Sequence, residues 1–363
     1  MKIVLYFDLF GSKYENIYQY KDIYQFPKKL KNILNGNLEL NFYSKNEENK
    51  FFFIENNKTN ISNNIFNFLM TLFLQRKKTD ICILFHVRLI TFCLFIIYKL
   101  GNKNNKAFLK GDVNLKYLKD IYSNKFFFKG YLYRYLIRKT DIFFVETKEC
   151  YEFLKEKKLN NIEIYSNNFD NNLLSEMNIV KKEYSQKKNI ILHVSRVGTY
   201  PKNTELLLEI LENIELNNWE VYILGKIEEN FKLKISEFFD KNPHLIENIK
   251  FLGQITDKKK VYEYYNESKI YLCTSRYEGF SIAFTEVLIF NNYIITTNVS
   301  GAKDITNNNE LGYICKREED FIKKINILLK DEEQISKLDK KREEYIKKIF
   351  STKHIEDKLK EII

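Results

Sequence analysis

Two glutamates, Glu278 and Glu286, stand eight residues apart in the most informative stretch of the chain. The apolar run before them, residues 268–275, predicts a buried strand, and the residues after Phe280 have the spacing of a helix. A strand that turns into a helix at Glu278-Gly279 would present backbone N–H groups, which favour a phosphate or another anion. Eight residues are a little over two helical turns, so both carboxylates are expected on one side of that helix. The pattern predicts a site for a polyhydroxylated ligand that carries a phosphate, although two ordinary helix-surface carboxylates would show the same spacing.

Two cations, Arg196 and Lys202, flank a loop that follows another predicted strand and contains glycine and proline. Ligands of open α/β sheets bind beyond the carboxyl ends of the strands. Arginine and lysine at such an edge could hold a diphosphate, whereas a pair of solvated surface cations is the alternative. Further glycine turns follow strands at Gly225 and Gly301. Several such loops in one half of the chain favour the ligand site.

The first half of the chain offers four candidate residues at predicted strand ends: Gly11, His86, Lys110 and Asp112. Histidine titrates near neutrality and could act as a general base, although a purely structural histidine is the commoner case. Gly11 would allow the backbone to approach a ligand closely.

Other familiar sites are missing from the sequence. It contains no Gly-x-Gly-x-x-Gly after the first strand and no Gly-x-x-x-x-Gly-Lys-Ser/Thr, which argues against dinucleotide and P-loop sites. It has no Asp-x-Asp pair for Mg²⁺ on a nucleotide sugar, and its histidines have no metal-ligand spacing with the cysteines. The sequence therefore predicts no metal and no bound cofactor.

Length and composition set the broad class. A chain of 363 residues suggests two domains, and a net charge of +11 can attract phosphorylated ligands, anionic lipid or nucleic acid, or can simply solvate the surface. Five cysteines without a Cys-x-x-Cys predict reduced thiols in a cytoplasmic protein. The apolar run at the start of the sequence is too short for a signal peptide and is followed too soon by a charged residue.

One apolar run, residues 81–100, is long enough to be weighed as a membrane span. His86, Arg88 and Lys99 interrupt it, and a charge near the centre of a span costs roughly 2.5–3.5 kcal/mol on insertion scales. We therefore expect a strand over Ile81–Phe85, a loop, and a helix from about Leu89.

The predicted strands and helices alternate, which indicates parallel sheets with helices on both faces. We expect a first domain over residues 1–170, a linker over 171–188, a second domain over 189–340 and a C-terminal helix over 341–363 that packs toward the first domain. The predicted strands of the first domain are Lys2–Phe7, Glu39–Tyr43, Phe51–Ile54, Ile81–Phe85, Lys106–Leu109, Ile142–Glu146 and Ile162–Tyr165. Its predicted helices are Asp22–Leu34, Asn64–Leu74, Leu89–Leu100, Tyr131–Lys139 and Lys148–Lys157.

From about Ile190 to Ile314 the sequence resembles the retaining glycosyltransferases of group 1, or family 4. The resemblance is carried by Val194-Ser195-Arg196-Val197 with Lys202, by Phe251-Leu252-Gly253-Gln254, by Ser275 through Glu286, and by Val299 through Ile305. It implies the GT-B fold, in which two Rossmann-like domains face a central cleft.

The resemblance also implies roles for individual residues. Arg196 and Lys202 would bind the donor diphosphate and stabilise the leaving group, and Glu278 would orient the transferred sugar. The backbone of Gly279, Phe280 and Ser281 would meet phosphate and sugar hydroxyls, and Glu286 would accept from the ribose. The other donor-side residues are Gly225 and Gly253. Cations and helix-terminal amides can stabilise a leaving diphosphate without a metal.

The first half resembles the family only loosely. The glycine-rich loop after the first strand is reduced to Phe10-Gly11-Ser12, and Asn167-Asn168-Phe169-Asp170 stands where many members have Asn-Gly-x-Asp. Lys110-Gly111-Asp112 occupies a strand end where several members place a histidine. The acceptor-side catalytic group is therefore left open, with His86 as one candidate.

The resulting expectation is a metal-independent, retaining hexosyltransferase. It would use a UDP- or GDP-linked sugar and a saccharide or lipid-linked acceptor, in building a bacterial surface glycan such as lipopolysaccharide or capsule. A nucleotide-sugar epimerase of the same fold and a non-catalytic nucleotide-sugar-binding scaffold are the alternatives. Nucleic acid is not an expected partner.

Peripheral contact with an anionic membrane surface is a further expectation for this cytoplasmic protein. Lys28, Lys29 and Lys31, together with the aromatic and basic stretch over residues 125–135, could lie on anionic lipid. A lysine-rich surface over buried aromatics is the alternative.

Overall fold

The computed structural model describes residues 1–9, 21–44, 57–101, 104–167 and 172–363. The chain divides into two compact units. The first consists of Met1–Asn168 together with Ser351–Ile363, and the second of Phe169–Phe350.

The first unit is built on a sheet whose strands pair in parallel. Seven strands are described: β1 (Lys2–Asp8), β2 (Asn37–Tyr43), β3 (Lys58–Ser62), β4 (Ile81–Phe85), β5 (Lys106–Lys110), β6 (Ile142–Val145) and β7 (Ile162–Ile164). Their order is β3-β2-β1-β4-β5-β6-β7. The strand order reverses between β1 and β4, and the carboxyl ends beside such a reversal are where ligands of open sheets bind.

Helices cover both faces of this sheet. They are α1 (Asp22–Leu34), α2 (Ile65–Gln75), α3 (Leu89–Lys99), α4 (Leu115–Tyr122), α5 (Phe127–Lys139) and α6 (Lys148–Glu156), with short 3₁₀ turns at Arg76–Lys78 and Asn124–Phe126. Side chains alternate along a strand. Ile3 and Leu5 of β1 therefore share one apolar core with α1, whereas Val4 and Tyr6 share the opposite core with α2 through α6.

This arrangement corrects one expectation about the surface. Lys28, Lys29 and Lys31 lie on α1, and residues 127–135 lie on α5. Because α1 and α5 cover opposite faces of the sheet, the two basic segments do not form one flat surface.

The second unit repeats the architecture. Its sheet contains β8 (Lys188–Val194), β9 (Glu220–Leu224), β10 (Ile249–Gly253), β11 (Ser268–Cys273), β12 (Tyr293–Thr297) and β13 (Gly312–Cys315). These strands pair in parallel in the order β10-β9-β8-β11-β12-β13. The reversal therefore lies between β8 and β11, the strands that precede the two loops with the strongest sequence signal.

The remaining helices follow in chain order. They are α7 (Asn172–Glu176), α8 (Thr204–Glu212), α9 (Glu229–Lys241), α10 (Lys258–Glu267), α11 (Ile282–Ile289), α12 (Ala302–Ile305), α13 (Glu318–Lys330), α14 (Glu333–Ser336), α15 (Asp339–Ile349) and α16 (Lys353–Ile362). Short 3₁₀ turns stand at Tyr184–Gln186, Tyr200–Lys202 and Pro243–Leu245.

The C-terminal segment is divided between the units. Arg342 of α15 is buried and donates to Asn291 Oδ1 at 2.7 Å, which holds α15 on the second unit. The helix breaks after Ile349, and α16 buries Ile355 and Leu359 in the core of the first unit. The expected return of the C-terminal helix is confirmed, but it is made by α16 alone and not by the whole of residues 341–363.

The two parallel sheets confirm the predicted α/β class. The run over residues 81–100 folds as β4 and α3, as expected. Within the described ranges, no helix is both long and apolar enough to cross a membrane. Strand β3 and helix α4 were not predicted from the sequence, and the predicted strand Phe51–Ile54 lies outside the described residues.

Candidate functional site

A partly open ion pair joins two loops of the second unit. Lys202, at the end of a 3₁₀ turn after β8, donates from Nζ to Glu278 Oε1 at 2.6 Å. The Ser275 hydroxyl donates to the same oxygen at 2.6 Å. The Lys202 and Glu278 side chains are 20% and 10% exposed, so the pair is sheltered but reachable from solvent. The structure thus brings together two of the three residues predicted to be catalytic.

Backbone carbonyls fix this pair in place. The Lys202 carbonyl accepts from Thr274 Oγ1 at 3.1 Å, and the Pro201 carbonyl accepts from the Arg276 N–H at 2.8 Å. The Arg276 guanidinium also donates to the Tyr200 carbonyl at 2.8 Å and lies 4.5 Å from the centre of the Tyr200 ring. These hydrogen bonds therefore join the loops after β8 and β11. The part that Arg276 plays in this contact was not predicted from the sequence.

The third predicted catalytic residue, Arg196, lies in the same loop as Lys202. Its side chain is exposed, and within the described part of the chain its guanidinium makes no hydrogen bond or ion pair. Arg196 is therefore able to reach a ligand at this sheet edge without breaking an internal contact.

The turn into α11 is anchored by an aromatic ring. Phe280 is buried and packs edge-on against Phe284, with ring centres 6.4 Å apart. Gly301, at φ +83°, lies against the same ring, where a Cβ would come within 2.8 Å of it. The Phe280 side chain is thus part of the core, so only its backbone, with that of half-buried Gly279 and Ser281, can meet a ligand.

The two glutamates occupy different settings. We expected both on one side of a helix, which is wrong for Glu278, because α11 begins at Ile282 and Glu278 lies in the loop before it. Glu286 lies within α11, is buried, and is hydrogen-bonded by the ammonium of Lys258 at the start of α10. That ammonium also lies 4.7 Å from the centre of the Tyr262 ring. Each carboxylate therefore has its own lysine, and Lys258 was not found from the sequence.

Gly225 has a packing role at this edge. Its φ is +138°, and a Cβ at this position would come within 1.6 Å of the carbonyl oxygen of Ser195, the residue that follows β8. Its N–H donates to the Gly253 carbonyl at 2.8 Å. Gly253 itself, at φ +68°, faces open space. Of Gly225 and Gly253, both of which were predicted on the donor side, Gly253 offers the more open backbone surface.

His193 is buried beneath the same edge of the sheet and is hydrogen-bonded through both ring nitrogens. Its Nδ1 lies 2.9 Å from the Leu272 carbonyl, which can only accept, so Nδ1 carries the proton. Its Nε2 then accepts from the Ser195 hydroxyl at 2.7 Å. Burial lowers the pKa of His193 to about 4, so the ring is neutral at physiological pH. The histidine fixes Ser195 and is not exposed to a ligand.

The first unit holds a different kind of lysine–glutamate pair. Lys110 is fully buried and donates to Glu146 Oε1 at 2.6 Å and to Asn167 Oδ1 at 2.9 Å. Glu146 also accepts from the backbone N–H groups of Asp112 at 2.9 Å and Val113 at 3.3 Å. Burial opposes the charged lysine, but the neighbouring carboxylates outweigh it and raise the pKa of Lys110. Lys110 was expected on the acceptor side, but it shapes the turn after β5 from within the core.

His86 and Asp112 meet at the carboxyl ends of β4 and β5. His86 Nδ1 lies 3.4 Å from Asp112 Oδ2, and both residues have positive φ, 62° and 46°. The His86 N–H donates to the Lys110 carbonyl at 2.8 Å. Burial lowers the pKa of His86 to about 4, although Asp112 opposes the shift. The structure therefore brings three of the four acceptor-side candidates together, and Gly11 lies outside the described residues.

Comparison with known proteins identifies similar sequences. A model of the family "Glycosyl transferases group 1" matches residues 175–349. Over 105 residues the chain is 35% identical to the amylovoran biosynthesis glycosyltransferase AmsD of Erwinia amylovora. This alignment covers 28% of this chain and 27% of AmsD. The matched region thus spans about a quarter of that relative.

Solved structures match nearly the whole chain. Sucrose-phosphate synthase from Thermosynechococcus elongatus superimposes with a TM-score of 0.69 at 14% identity, covering 100% of this chain and 98% of that one. Anabaena HepE in complex with UDP and glucose gives 0.67 at 12% identity, with 99% of each chain covered. The lipopolysaccharide outer core galactosyltransferase WaaB gives 0.65 at 14% identity, covering 97% of this chain and 98% of WaaB. At such identities the likeness shows the fold alone, and the expected GT-B fold is confirmed.

Proposed function

The chain belongs, through its residues 175–349, to the group 1 glycosyl transferases, and we propose that it is a retaining, metal-independent hexosyltransferase. The donor is a UDP- or GDP-linked sugar, and the acceptor is a saccharide or a lipid-linked saccharide of a bacterial surface glycan. Support for the donor class comes from HepE, solved with UDP and glucose. Support for the glycan comes from AmsD and WaaB, whose names assign them to amylovoran and lipopolysaccharide.

The observation that carries this proposal is the partly open pair of Lys202 and Glu278 in front of α11. As the anomeric bond breaks, negative charge builds on the departing nucleoside diphosphate, and cations already in place stabilise it. Lys202 would exchange its Glu278 partner for the diphosphate, with Arg196 as a second cation. Both described hydrogen bonds to Glu278 end on Oε1, so its other oxygen can accept from a sugar hydroxyl.

The nucleoside end of the donor is assigned to Glu286 and Lys258. A buried carboxylate needs a compensating partner, and Lys258 supplies the positive charge from the neighbouring helix. Ribose hydroxyls can donate to Glu286 while Lys258 balances the negative charge of the carboxylate. The open backbone at Gly253 lies at the end of β10, just before α10.

On the acceptor side we propose His86 and Asp112. With a pKa of about 4, His86 is neutral at physiological pH and can exchange hydrogen bonds with a hydroxyl group. Asp112 can orient the ring through Nδ1. Lys110 and Glu146 hold the turn that carries Asp112 and make no contact with the acceptor.

A two-step experiment tests the function. Thermal shift with UDP, GDP and their sugars identifies the donor, because a ligand that binds only the native state raises its melting temperature. The labelled donor is then incubated with saccharide and lipid-extract acceptors, and the anomeric configuration of the product is determined by NMR. Transfer with retention is expected. An altered sugar in the absence of acceptor would identify an epimerase, and donor binding without any product would identify a scaffold.

A further inference from the structure

Three helices on one face of the first unit leave an unusual amount of apolar surface exposed. In α2, only Phe68 and Leu72 are buried, although the helix is almost wholly apolar. Leu74 of α2 is 68% exposed, and Phe127 at the start of α5 is 88% exposed. The other large exposed apolar side chains of these helices are Ile65, Phe66, Met70, Phe73, Leu89, Phe128, Tyr131 and Tyr135. Soluble monomers rarely expose large contiguous apolar patches, which usually mark an interaction site.

The exposed side chains belong to one surface. The buried sides of α2, α3 and α5 all contribute to the same core. Helix α3 packs beside both α2 and α5, and the Phe92 and Tyr135 rings join α3 to α5 with centres 6.1 Å apart. We call the solvent-facing sides of α2, α3 and α5 the acid-free face.

The charge of this face is of one sign. None of the three helices contains an aspartate or a glutamate. Exposed cations stand at the helix ends, at Lys77 and Lys78 just after α2, at Lys129 in the first turn of α5, and at Arg138 and Lys139 in its last turn. Asp80, two residues after Lys78, is also exposed, but the helices themselves carry no acid. An apolar surface of this kind with cations at its border complements an anionic bilayer, which offers negative headgroups above a hydrocarbon layer.

We propose that the acid-free face docks the protein on a bilayer that contains anionic lipid. Phe66, Phe127 and Phe128 enter the boundary between headgroups and acyl chains, while Lys77, Lys78 and Lys129 pair with lipid phosphates. Helix α1, with Lys28, Lys29 and Lys31, faces away from the bilayer, because it covers the opposite side of the sheet. This binding is independent of the proposed transferase activity and can be measured without a donor or an acceptor.

Flotation with phosphatidylglycerol vesicles at low salt, compared with phosphatidylcholine vesicles, tests the proposal on the full chain. Replacing Lys77, Lys78 and Lys129 by Gln should lower the vesicle affinity by about fivefold for each cation removed. The matched variant that replaces Lys28, Lys29 and Lys31 should float like the wild type. Replacing Phe66, Phe127 and Phe128 by Ser should lower the affinity by about tenfold or more. Leu233→Ser on α9, where the side chain is 72% exposed, should change nothing.

Several results would overturn the proposal. They are absence of flotation with anionic vesicles, equal flotation with neutral vesicles, and equal losses in the α1 and acid-free-face variants. Dimers that dissociate when the three phenylalanines are replaced would show that a second copy of the chain, and not lipid, covers the face. Circular dichroism melting of each variant separates loss of binding from loss of folding.

Discussion

The two units of this protein each place a lysine–glutamate pair at the carboxyl ends of parallel strands, but the pairs differ in access to solvent. Lys110 and Glu146 in the first unit are fully buried, whereas Lys202 and Glu278 in the second are 20% and 10% exposed. The distances are equal, 2.6 Å in both pairs. Exposure therefore separates a pair that shapes a turn from a pair that can exchange one partner for a ligand.

The surroundings of the two pairs support this distinction. Glu146 is also bound by the backbone N–H groups of Asp112 and Val113, so the buried pair fixes the chain itself. Glu278 accepts from side chains, Lys202 and Ser275. Side-chain donors can turn toward a ligand without moving the backbone.

The largest effect is expected from breaking the buried pair. Lys110→Met leaves the Glu146 charge without its partner in the core, and we expect the free energy of unfolding to fall by about 3–5 kcal/mol. Urea denaturation measures this change. The double variant Lys110→Met with Glu146→Met should recover much of the loss, because an apolar pair of similar size can replace a buried ion pair. A single variant as stable as the wild type would contradict the assignment.

Breaking the open pair should affect catalysis and not stability. Lys202→Ala removes the cation that we propose stabilises the leaving diphosphate, and we expect the transfer rate constant to fall about 10²- to 10³-fold. The melting temperature should change little, because a partly exposed pair contributes little to folding. Lys234→Ala is the control, since Lys234 pairs with Glu205 at 3.1 Å on the exposed surface of the same unit. Equal rates in the two variants would rule out Lys202 as a donor ligand.

The positions of the candidate donor-side residues could be predicted from the sequence more fully than those of the candidate acceptor-side residues. Arg196, Lys202, Glu278 and the turn at Gly279 lie on short loops directly after apolar strands, so their edge of the sheet follows from the β/α alternation. Lys258 could not be found in this way, because its pairing with Glu286 depends on how α10 and α11 pack. The burial of Lys110 was equally hidden, since its partner Glu146 lies 36 residues further along the chain.

Errors in the predicted fold have similar local causes. Strand β3, Lys-Thr-Asn-Ile-Ser, lacks an apolar run and owes its place at the edge of the sheet to its pairing with β2. Helix α15 is too charged to reveal a core contact, and only the structure shows Arg342 held by Asn291.

Burial of His193 should make the free energy of unfolding of the second unit depend on pH. His193 has its pKa lowered from 6.5 to about 4 in the folded chain, so the unfolded chain binds the extra proton between these values. The contribution of neutral His193 to the free energy of unfolding is fully present above the pKa of the unfolded chain and is lost as the pH falls toward 4. From about pH 7 to about pH 5, the wild type should lose about 2 kcal/mol more than His193→Gln. Equal losses, measured by urea denaturation at both pH values, would show that His193 titrates normally.

The smallest expected effect concerns the nucleoside end of the donor site. Lys258→Met leaves the buried Glu286 carboxylate without its cation, and we expect about tenfold weaker nucleotide binding. Calorimetric titration of uridine or guanosine and of the corresponding diphosphate measures the change. The loss should be similar for both, since Glu286 is assigned to the ribose. Lys259→Met, on the exposed neighbouring position, is the control, and a loss that appears only with the diphosphate would move Lys258 to the phosphate end.

The most direct test is the affinity of the preferred nucleoside diphosphate for the variants Lys202→Met and Lys110→Met, measured by calorimetry under conditions in which each variant is folded. Because the Lys202–Glu278 pair is the proposed donor site, we expect Lys202→Met to bind the nucleoside diphosphate about tenfold or more weakly than the wild type. Lys110→Met should bind it with wild-type affinity. Wild-type affinity in Lys202→Met would contradict the assignment of the open pair to the donor.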